Sequence, residues 1–291
     1  MKKTNKLRVL VIGSSGFIGK NIFNYLNKNK IRVVGTFFKN KRKNANLIKF
    51  NILKDKVKKL ENFKNISHVI IASGGQKKLD DVEKNYNYEK EVGYNKIKKI
   101  LDWCNSQNIK IIYISSDAVF DGKKGNYSEK SKTNPINKYG KIKNLTETYI
   151  KKKINNYLII RVSKVLSLKQ NDNNIFNEII VNLRNCKYKF AYDEIFTPIF
   201  ISDLCKGVYN LIKKDLNGIF HLKSLSKTSR YILAKKICKS LNLKNKIYKT
   251  SIRNLKLKAL RGINLSLNTK KYDNIFNISK KELDFYIKRK K

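Results

Sequence analysis

The sequence predicts an α/β fold, a doubly wound parallel sheet followed by a smaller C-terminal α/β domain. Three observations predict it. Short apolar runs alternate with amphipathic stretches through the first half; a glycine-rich turn follows the first apolar run; and after Val162 the alternation loosens into shorter segments. Such alternation places helices on both faces of a parallel sheet. Strands covered on both faces read as continuous apolar runs.

In chain order, residues 7–12 form the first such run, and Phe17, Ile18, Ile22, Tyr25 and Leu26 then recur at helical spacing. Residues 31–37 read as a second strand, 48–52 as a short third and 69–72 as a fourth. Residues 95–104 form a helix with Ile97, Ile100, Leu101 and Cys104 on one face. A fifth strand spans 109–115, a long helix runs over 137–154 after Pro135, and a sixth strand covers 157–162. Beyond it, 176–183 read as helical, 187–192 as extended, 203–213 as helical, 218–222 as a strand, and 230–241 and 280–288 as helices. Residues 1–162 are expected to bind a cofactor. Residues 163–291 form mainly a substrate-binding domain, interleaved with the first.

With 291 residues the chain can bury a sizeable core. Lysine and arginine total 66 against 21 acidic residues, a net charge of +45. A surplus of this size normally points to nucleic acid. Its distribution argues otherwise: lysine far outnumbers arginine, is spread through every segment, and accompanies abundant Asn, Ile, Tyr and Phe. An AT-rich coding sequence supplies those residues, so a solvated basic surface is the simpler account and no nucleic-acid partner is expected. Cys104, Cys186, Cys205 and Cys238 form no Cys-x-x-Cys pair, and His68 and His221 have no metal-ligand neighbour at useful spacing. Reduced buried thiols and no metal are expected. No apolar run reaches the ~18 residues of a membrane span. The run after Met1-Lys2-Lys3 breaks into the glycine turn too soon for a signal peptide. A cytoplasmic protein without a membrane partner is expected; a homodimer is compatible with the pattern.

Strand, glycine turn and helix N-terminus together make an anion site, because free backbone N–H groups and the helix dipole converge there. Gly13 allows the sharp turn, Gly16 lets a pyrophosphate approach, and Gly19 lets the helix sit close to the sheet. The spacing is one residue looser than the usual dinucleotide fingerprint. Gly13, Ser15, Gly16, Phe17, Ile18 and Gly19 are the candidate cofactor contacts of this turn. An NAD-selective site usually carries an acid about 20 residues further on. Here none appears until Asp55, whereas Lys39, Lys41 and Arg42 offer cations to a 2′-phosphate. NADPH is the expected cofactor, with NADH as the alternative.

Tyr139 and Lys143 are four residues apart on the long helix and share a face. A free phenol titrates near ~10, and a nearby ammonium lowers that value, so the pair can exchange a proton with a carbonyl or alkoxide. Tyr-x-x-x-Lys alone carries little weight in a lysine-rich chain. Its surroundings carry more: Ser115-Ser116-Asp117-Ala118-Val119-Phe120-Asp121-Gly122 ends the fifth strand, and Asn134-Pro135-Ile136-Asn137-Lys138-Tyr139-Gly140 opens the helix.

With these segments the chain resembles the extended short-chain dehydrogenase/reductases, and within them the dTDP-4-dehydrorhamnose reductase group. The likeness continues through Arg161-Val162-Ser163, Phe196-Thr197-Pro198 with Asp203-Leu204, Gly218-Ile219-Phe220-His221-Leu222 with Ser229-Arg230-Tyr231, and residues 261–269 from Arg261 to Thr269. It covers essentially the whole chain and implies a Rossmann-like fold. It also implies hydride transfer from a nicotinamide to the C4 keto group of a nucleotide-linked deoxy sugar. Tyr139 would donate the proton, Lys143 would hold the nicotinamide ribose and tune Tyr139, and Ser116 would hydrogen-bond the carbonyl oxygen. The resemblance further implies cofactor contacts at Asn51, Ile52, Ala72, Ser73, Gly74 and Ser115, and substrate contacts at Ser116, Asp117, Ala118, Phe120, Arg261 and Asn264. Ala118 stands where many rhamnose-pathway reductases have Tyr, Gly262 where they have Pro, and Ser73-Gly74-Gly75-Gln76 departs from their Ala-rich turn. Those departures leave the sugar open. An epimerase on another nucleotide sugar, or a cofactor-binding regulatory subunit without turnover, are the alternatives; His221 reads as a structural histidine.

Overall fold

The computed structural model describes residues 7–38, 46–73, 78–170, 172–185, 188–244, 246–278 and 282–288. Strands β1 (Arg8–Ile12), β2 (Arg32–Phe37), β3 (Leu47–Lys49), β4 (His68–Ile71), β5 (Lys110–Ser116) and β6 (Tyr157–Val162) follow the apolar runs. Between them in the chain lie helices α1 (Phe17–Lys28), α2 (Leu79–Lys84), α3 (Tyr86–Lys90), α4 (Lys96–Ser106) and α5 (Lys138–Lys153). After β6 come β7 (Val165–Leu166), α6 (Ile175–Arg184), β8 (Lys189–Ala191), β9 (Ile195–Phe196), β10 (Ile199–Phe200), α7 (Ile201–Lys213) and β11 (Gly218–Leu222). The remainder holds β12 (Thr228–Ser229), α8 (Arg230–Ser240), β13 (Tyr248–Thr250), α9 (Lys270–Phe276) and α10 (Leu283–Lys288).

Seven strands form one sheet in the order β11-β6-β5-β4-β1-β2-β3. β1 pairs in parallel with β2 and with β4, and β2–β3 and β4–β5 are parallel as well. The chain moves outward from β1 on one side and from β4 on the other, so the order reverses between them. In open α/β sheets ligands bind at that reversal, beyond the carboxyl ends of the strands. Both faces of the central strands are buried: Val9 and Val11 as well as Leu10 and Ile12, Ile70 as well as Val69 and Ile71. The apolar runs carried no alternation for this reason.

The chain divides into two compact units. The first comprises Met1–Ser115, Lys141–Ile160 and Cys205–Ile219; the second comprises Ser116–Gly140, Arg161–Leu204 and Phe220–Lys291. In the first, Ile97, Ile100, Leu101 and Cys104 of α4 pack with Leu10, Ile12, Val69, Ile71, Ile111 and Tyr113 of the sheet. The stretch after β4, left unassigned by periodicity, is helical: α2, α3 and a π-helical turn at Glu91–Asn95 lead into α4. In the second unit, α6, α8 and α10 enclose a core of Phe176, Ile179, Leu183, Leu233, Ile237, Leu283 and Ile287. There Phe200 stacks on Tyr286 with ring centroids 3.7 Å apart, and the Tyr286 hydroxyl bonds Asp203. Asn174 and Ser229 cap α6 and α8 with their side chains, as short polar residues do at helix starts. Cys104, Cys205 and Cys238 are buried thiols, and Cys186 lies outside the described residues. Among the described residues no helix is long and apolar enough to cross a membrane.

Candidate active site

β1 ends at Ile12 and the chain turns at Gly13, whose φ is +85°. A Cβ on Gly13 would stand 2.9 Å from Ser73 Cβ, and one on Gly19 would stand 2.3 Å from the Gly13 carbonyl oxygen. The first position needs left-handed backbone and the second admits no side chain. Thr36 holds the turn from β2. Its Oγ1 accepts the Gly13 N–H at 3.0 Å, and its carbonyl accepts the Ser14 N–H at 3.0 Å and the Ser14 hydroxyl at 2.8 Å. Ser15, Phe17 and Ile18 stay half-exposed at the start of α1. No side chain caps that helix and no acid sits in its first turn, which leaves its dipole and leading N–H groups to an anion. Beside the turn, Ser73 Oγ is buried and meets no partner among the described residues.

Other predicted contacts fall differently. β3 ends at Lys49, earlier than expected, so Asn51 and Ile52 lie in a turn. Asn51 donates its N–H to Asp55 at 2.8 Å and accepts the Leu53 N–H on its side-chain oxygen at 3.0 Å, while Ile52 packs on the core. Ala72 follows β4, half-buried, its N–H donated to the Ile12 carbonyl at 3.1 Å. The Ser115 hydroxyl is committed to the buried Glu147, at 2.5 Å. Lys39, Lys41, Arg42 and Gly74 lie outside the described residues.

α5 presents Tyr139 and Lys143 one turn apart. Lys143 Nζ donates to the Ile114 carbonyl at 3.1 Å and stands 4.9 Å above the Tyr113 ring. Burial lowers the Lys143 ammonium to about 8, against the opposing charge of Glu147. In the second unit the Tyr139 side chain hydrogen-bonds Ser116. The expected lowering of the Tyr139 phenol is not what its surroundings produce. Burial pushes it up to about 12, the Asp117 carboxyl adds to the rise, and only the Ser116 bond opposes it. Loss of hydration outweighs the single hydrogen bond.

Four residues assigned to substrate are used inside the protein. Asp117 is buried; Oδ1 accepts the Ser116 hydroxyl at 2.9 Å and Oδ2 accepts the Ser163 hydroxyl at 2.5 Å. Phe120, 1 % exposed, stacks on Tyr127 at 4.2 Å and meets His221 edge-on at 5.9 Å. It is a core residue, closed off by that packing. Ala118 is also buried, its N–H donated to Ser116 Oγ at 3.2 Å. Asn264 accepts the Ser266 hydroxyl at 2.7 Å and N–H at 3.2 Å, and its own N–H binds the Gly122 carbonyl at 2.7 Å. Asn264 therefore fixes a loop. Arg261 remains half-exposed, with a bond to the Ala259 carbonyl at 3.1 Å.

The model of the RmlD substrate binding domain family matches residues 7–289. The chain belongs to this family. The RmlD-type fold recurs in a hypothetical dTDP-4-dehydrorhamnose reductase from Sulfolobus tokodaii, with TM-score 0.84, 26 % identity, and 96 % of this chain and 98 % of that one covered. It recurs in dTDP-4-dehydrorhamnose reductase from Bacillus anthracis str. Ames in complex with NADP, with TM-score 0.84, 23 % identity and 98 % of each chain covered. Methionine adenosyltransferase 2 subunit beta of Danio rerio is 23 % identical over 248 residues, spanning 81 % of this chain and 74 % of that protein.

In this RmlD-family chain His221 is a fully buried framework residue. Its Nδ1 faces the carbonyls of Tyr127 and Asn268 at 3.0 and 3.1 Å, which assigns the ring proton to Nδ1. Nε2 then accepts from Arg161 at 3.3 Å. Burial, reinforced by the Arg161 charge, lowers the imidazole to about 3. A depressed histidine contributes stability above its unfolded value near 6.5, lost as pH falls toward about 3. Wild-type unfolding free energy is expected to drop by on the order of 4 kcal/mol across that window through His221. His68, lowered by burial to about 4, acts in the same direction. Denaturant titrations from pH 7 to 4 on wild type and His221→Gln check this; equal slopes in the two proteins would refute it.

Proposed function

We propose that this RmlD-family chain is an NADPH-dependent reductase of the C4 keto group of a nucleotide-activated deoxy sugar. The observation that carries the proposal is the Tyr139–Ser116 hydrogen bond on the α5 turn that precedes Lys143. A phenol held near 12 stays protonated at neutral pH and yields its proton only to a strong base, such as the alkoxide forming at C4. Ser116 would share the developing negative charge, a contribution typically worth about 10²–10³ in rate.

The first unit suits the dinucleotide. An uncapped helix start without acids accepts a pyrophosphate, and the buried, unpartnered Ser73 hydroxyl supplies a polar group next to Gly13. Lys143, its Nζ on the β5 carbonyl, would hold the nicotinamide ribose. Asn51, Ile52, Ala72 and Ser115 take at most backbone or packing roles, given how their groups are used. Lys39 and Arg42 would meet a 2′-phosphate, favouring NADPH over NADH. When bound, the nicotinamide supplies the hydride for C4. A cytoplasmic setting and the basic surface both suit an anionic nucleotide sugar, which the net charge of +45 attracts at long range.

A second reading, a cofactor-binding subunit without turnover, is favoured by the likeness to methionine adenosyltransferase 2 subunit beta. NADPH consumption across a panel of dTDP- and UDP-linked 4-keto sugars separates the two. Reductase activity predicts oxidation with at least one member of the panel. NADPH binding without turnover on any of them would favour the subunit.

A further inference from the structure

The reductase reading asks Ser116 to donate a hydrogen to the keto oxygen, yet the Ser116 hydroxyl is fully engaged. A serine hydroxyl has one hydrogen and two acceptor positions. Its hydrogen goes to Asp117 Oδ1 at 2.9 Å and one acceptor position takes the Ala118 N–H at 3.2 Å, while the Tyr139 side chain bonds the same group. While Asp117 is a carboxylate, Ser116 has nothing left to donate.

Resting on the reductase reading, we propose that Asp117 is a positioning residue whose protonation reverses the hydrogen bonds of the Tyr139–Ser116 pair. As a carboxylate it draws the Ser116 hydrogen to itself, and Ser116 then receives the Tyr139 hydroxyl. As a carboxylic acid it donates to Ser116 Oγ from Oδ1, and Oδ2 still accepts Ser163. Ser116 keeps its Ala118 bond and turns its own hydrogen outward, toward the Tyr139 oxygen or a substrate oxygen. No proton is created or lost within the chain of groups; the one that converts Asp117 to the acid comes from solvent. The geometry allows both states because each Asp117 oxygen meets a hydroxyl, which can donate or accept, rather than an obligate donor such as a lysine.

The surroundings favour access to the acid form. Burial raises the Asp117 carboxyl, opposed by Lys164 and by the Ser163 and Ser116 hydroxyls, while Glu194 raises it further. Lys164 and Glu194 are the charged groups that act on it, and Tyr139 feels its charge in return. Glu194 is itself tied to Lys164 at 3.4 Å and Arg230 at 2.6 Å, so much of the Lys164 charge is answered before it reaches Asp117.

The test is carbon-13 NMR on the full chain, following the Asp117 carboxyl and the Tyr139 ring carbon that bears oxygen as pH is varied. The Tyr139 signal is expected to shift with the same midpoint as Asp117, and Asp117→Asn is expected to remove that step. Ser163→Ala deletes a hydrogen bond to the carboxylate and is expected to move the shared midpoint upward. This second variant keeps the test alive should the asparagine protein fold poorly. A Tyr139 signal that ignores the Asp117 titration, or a step that persists unchanged in both variants, overturns the proposal. These readouts need no turnover, so they stand apart from any failure of the reductase reading. With a competent sugar, kcat should fall about tenfold per pH unit above that midpoint in wild type, and the limb should vanish in Asp117→Asn; a limb retained there also overturns it.

Discussion

Tyr139→Phe is expected to cut keto-sugar-dependent NADPH oxidation by about 10²–10⁴-fold, the usual worth of a positioned general acid. NADPH affinity should be largely retained, because the substitution deletes one oxygen and keeps the ring. The residual rate should lose its alkaline dependence on the phenol, whose wild-type value lies near 12. Ser116 would keep its bonds to Asp117 and Ala118, so the variant should fold. Steady-state kinetics with a competent sugar, alongside nucleotide binding by fluorescence, decide the matter. Turnover equal to wild type would remove Tyr139 from the reaction.

Arg230→Leu should be the most destabilising of the changes considered. Glu194 is buried, and Arg230 Nε lies 2.6 Å from one of its oxygens while Lys164 Nζ lies 3.4 Å from the other. Burial alone would raise the Glu194 carboxyl, but Lys164 and Arg230 outweigh it and hold it down at about 2. Removing one partner of a buried pair costs about 3–5 kcal/mol where the charge is left uncompensated; Lys164 stays beside Glu194, so a loss of about 3 kcal/mol is expected. For a chain of this size that lowers Tm by roughly 10 °C. The sign with pH follows from the depressed carboxyl. The wild-type gain is present above the ordinary carboxylate range and fades as pH falls toward about 2, so the deficit of the variant should narrow in acid. Replacing Glu194 by leucine as well should recover much of the loss, which a double-mutant cycle would show. A single-variant loss under 1 kcal/mol at pH 7 would contradict the pairing.

The central sheet was legible because its strands are buried on both faces and announce themselves as apolar runs. The segment ahead of α4 was not. Residues 78–95 hold only Leu79, Val82 and Val92 as aliphatic residues among charged, Asn, Tyr and Gly residues, and the π-helical turn breaks the 3.6-residue period that a helix search relies on. Two-residue strands such as β7 and β12 carry no period at all. Of the candidate site, the sharp turn at Gly13, the close approach at Gly19 and the shared helix of Tyr139 and Lys143 were legible from local order. Thr36, Ser163 and Glu147 were not, since each matters through a partner 23, 46 or 32 residues away. Phe120 and Asn264 carry packing and loop roles that the motif did not reveal, for the same reason: a motif residue and a packing residue look alike until their neighbours are known.

The π-helical turn at Glu91–Asn95 has a consequence for natural length variation. Such a turn amounts to one extra residue inserted into an α-helix. Deleting it would restore regular winding while leaving Ile97, Ile100, Leu101 and Cys104 aimed at the sheet. What would be forfeited is a tether: Thr146 Oγ1 reaches the Gly93 carbonyl at 3.1 Å as well as that of Ile142. Homologues one residue shorter in this stretch should therefore keep the same core and lack a hydroxyl partner at the position of Thr146.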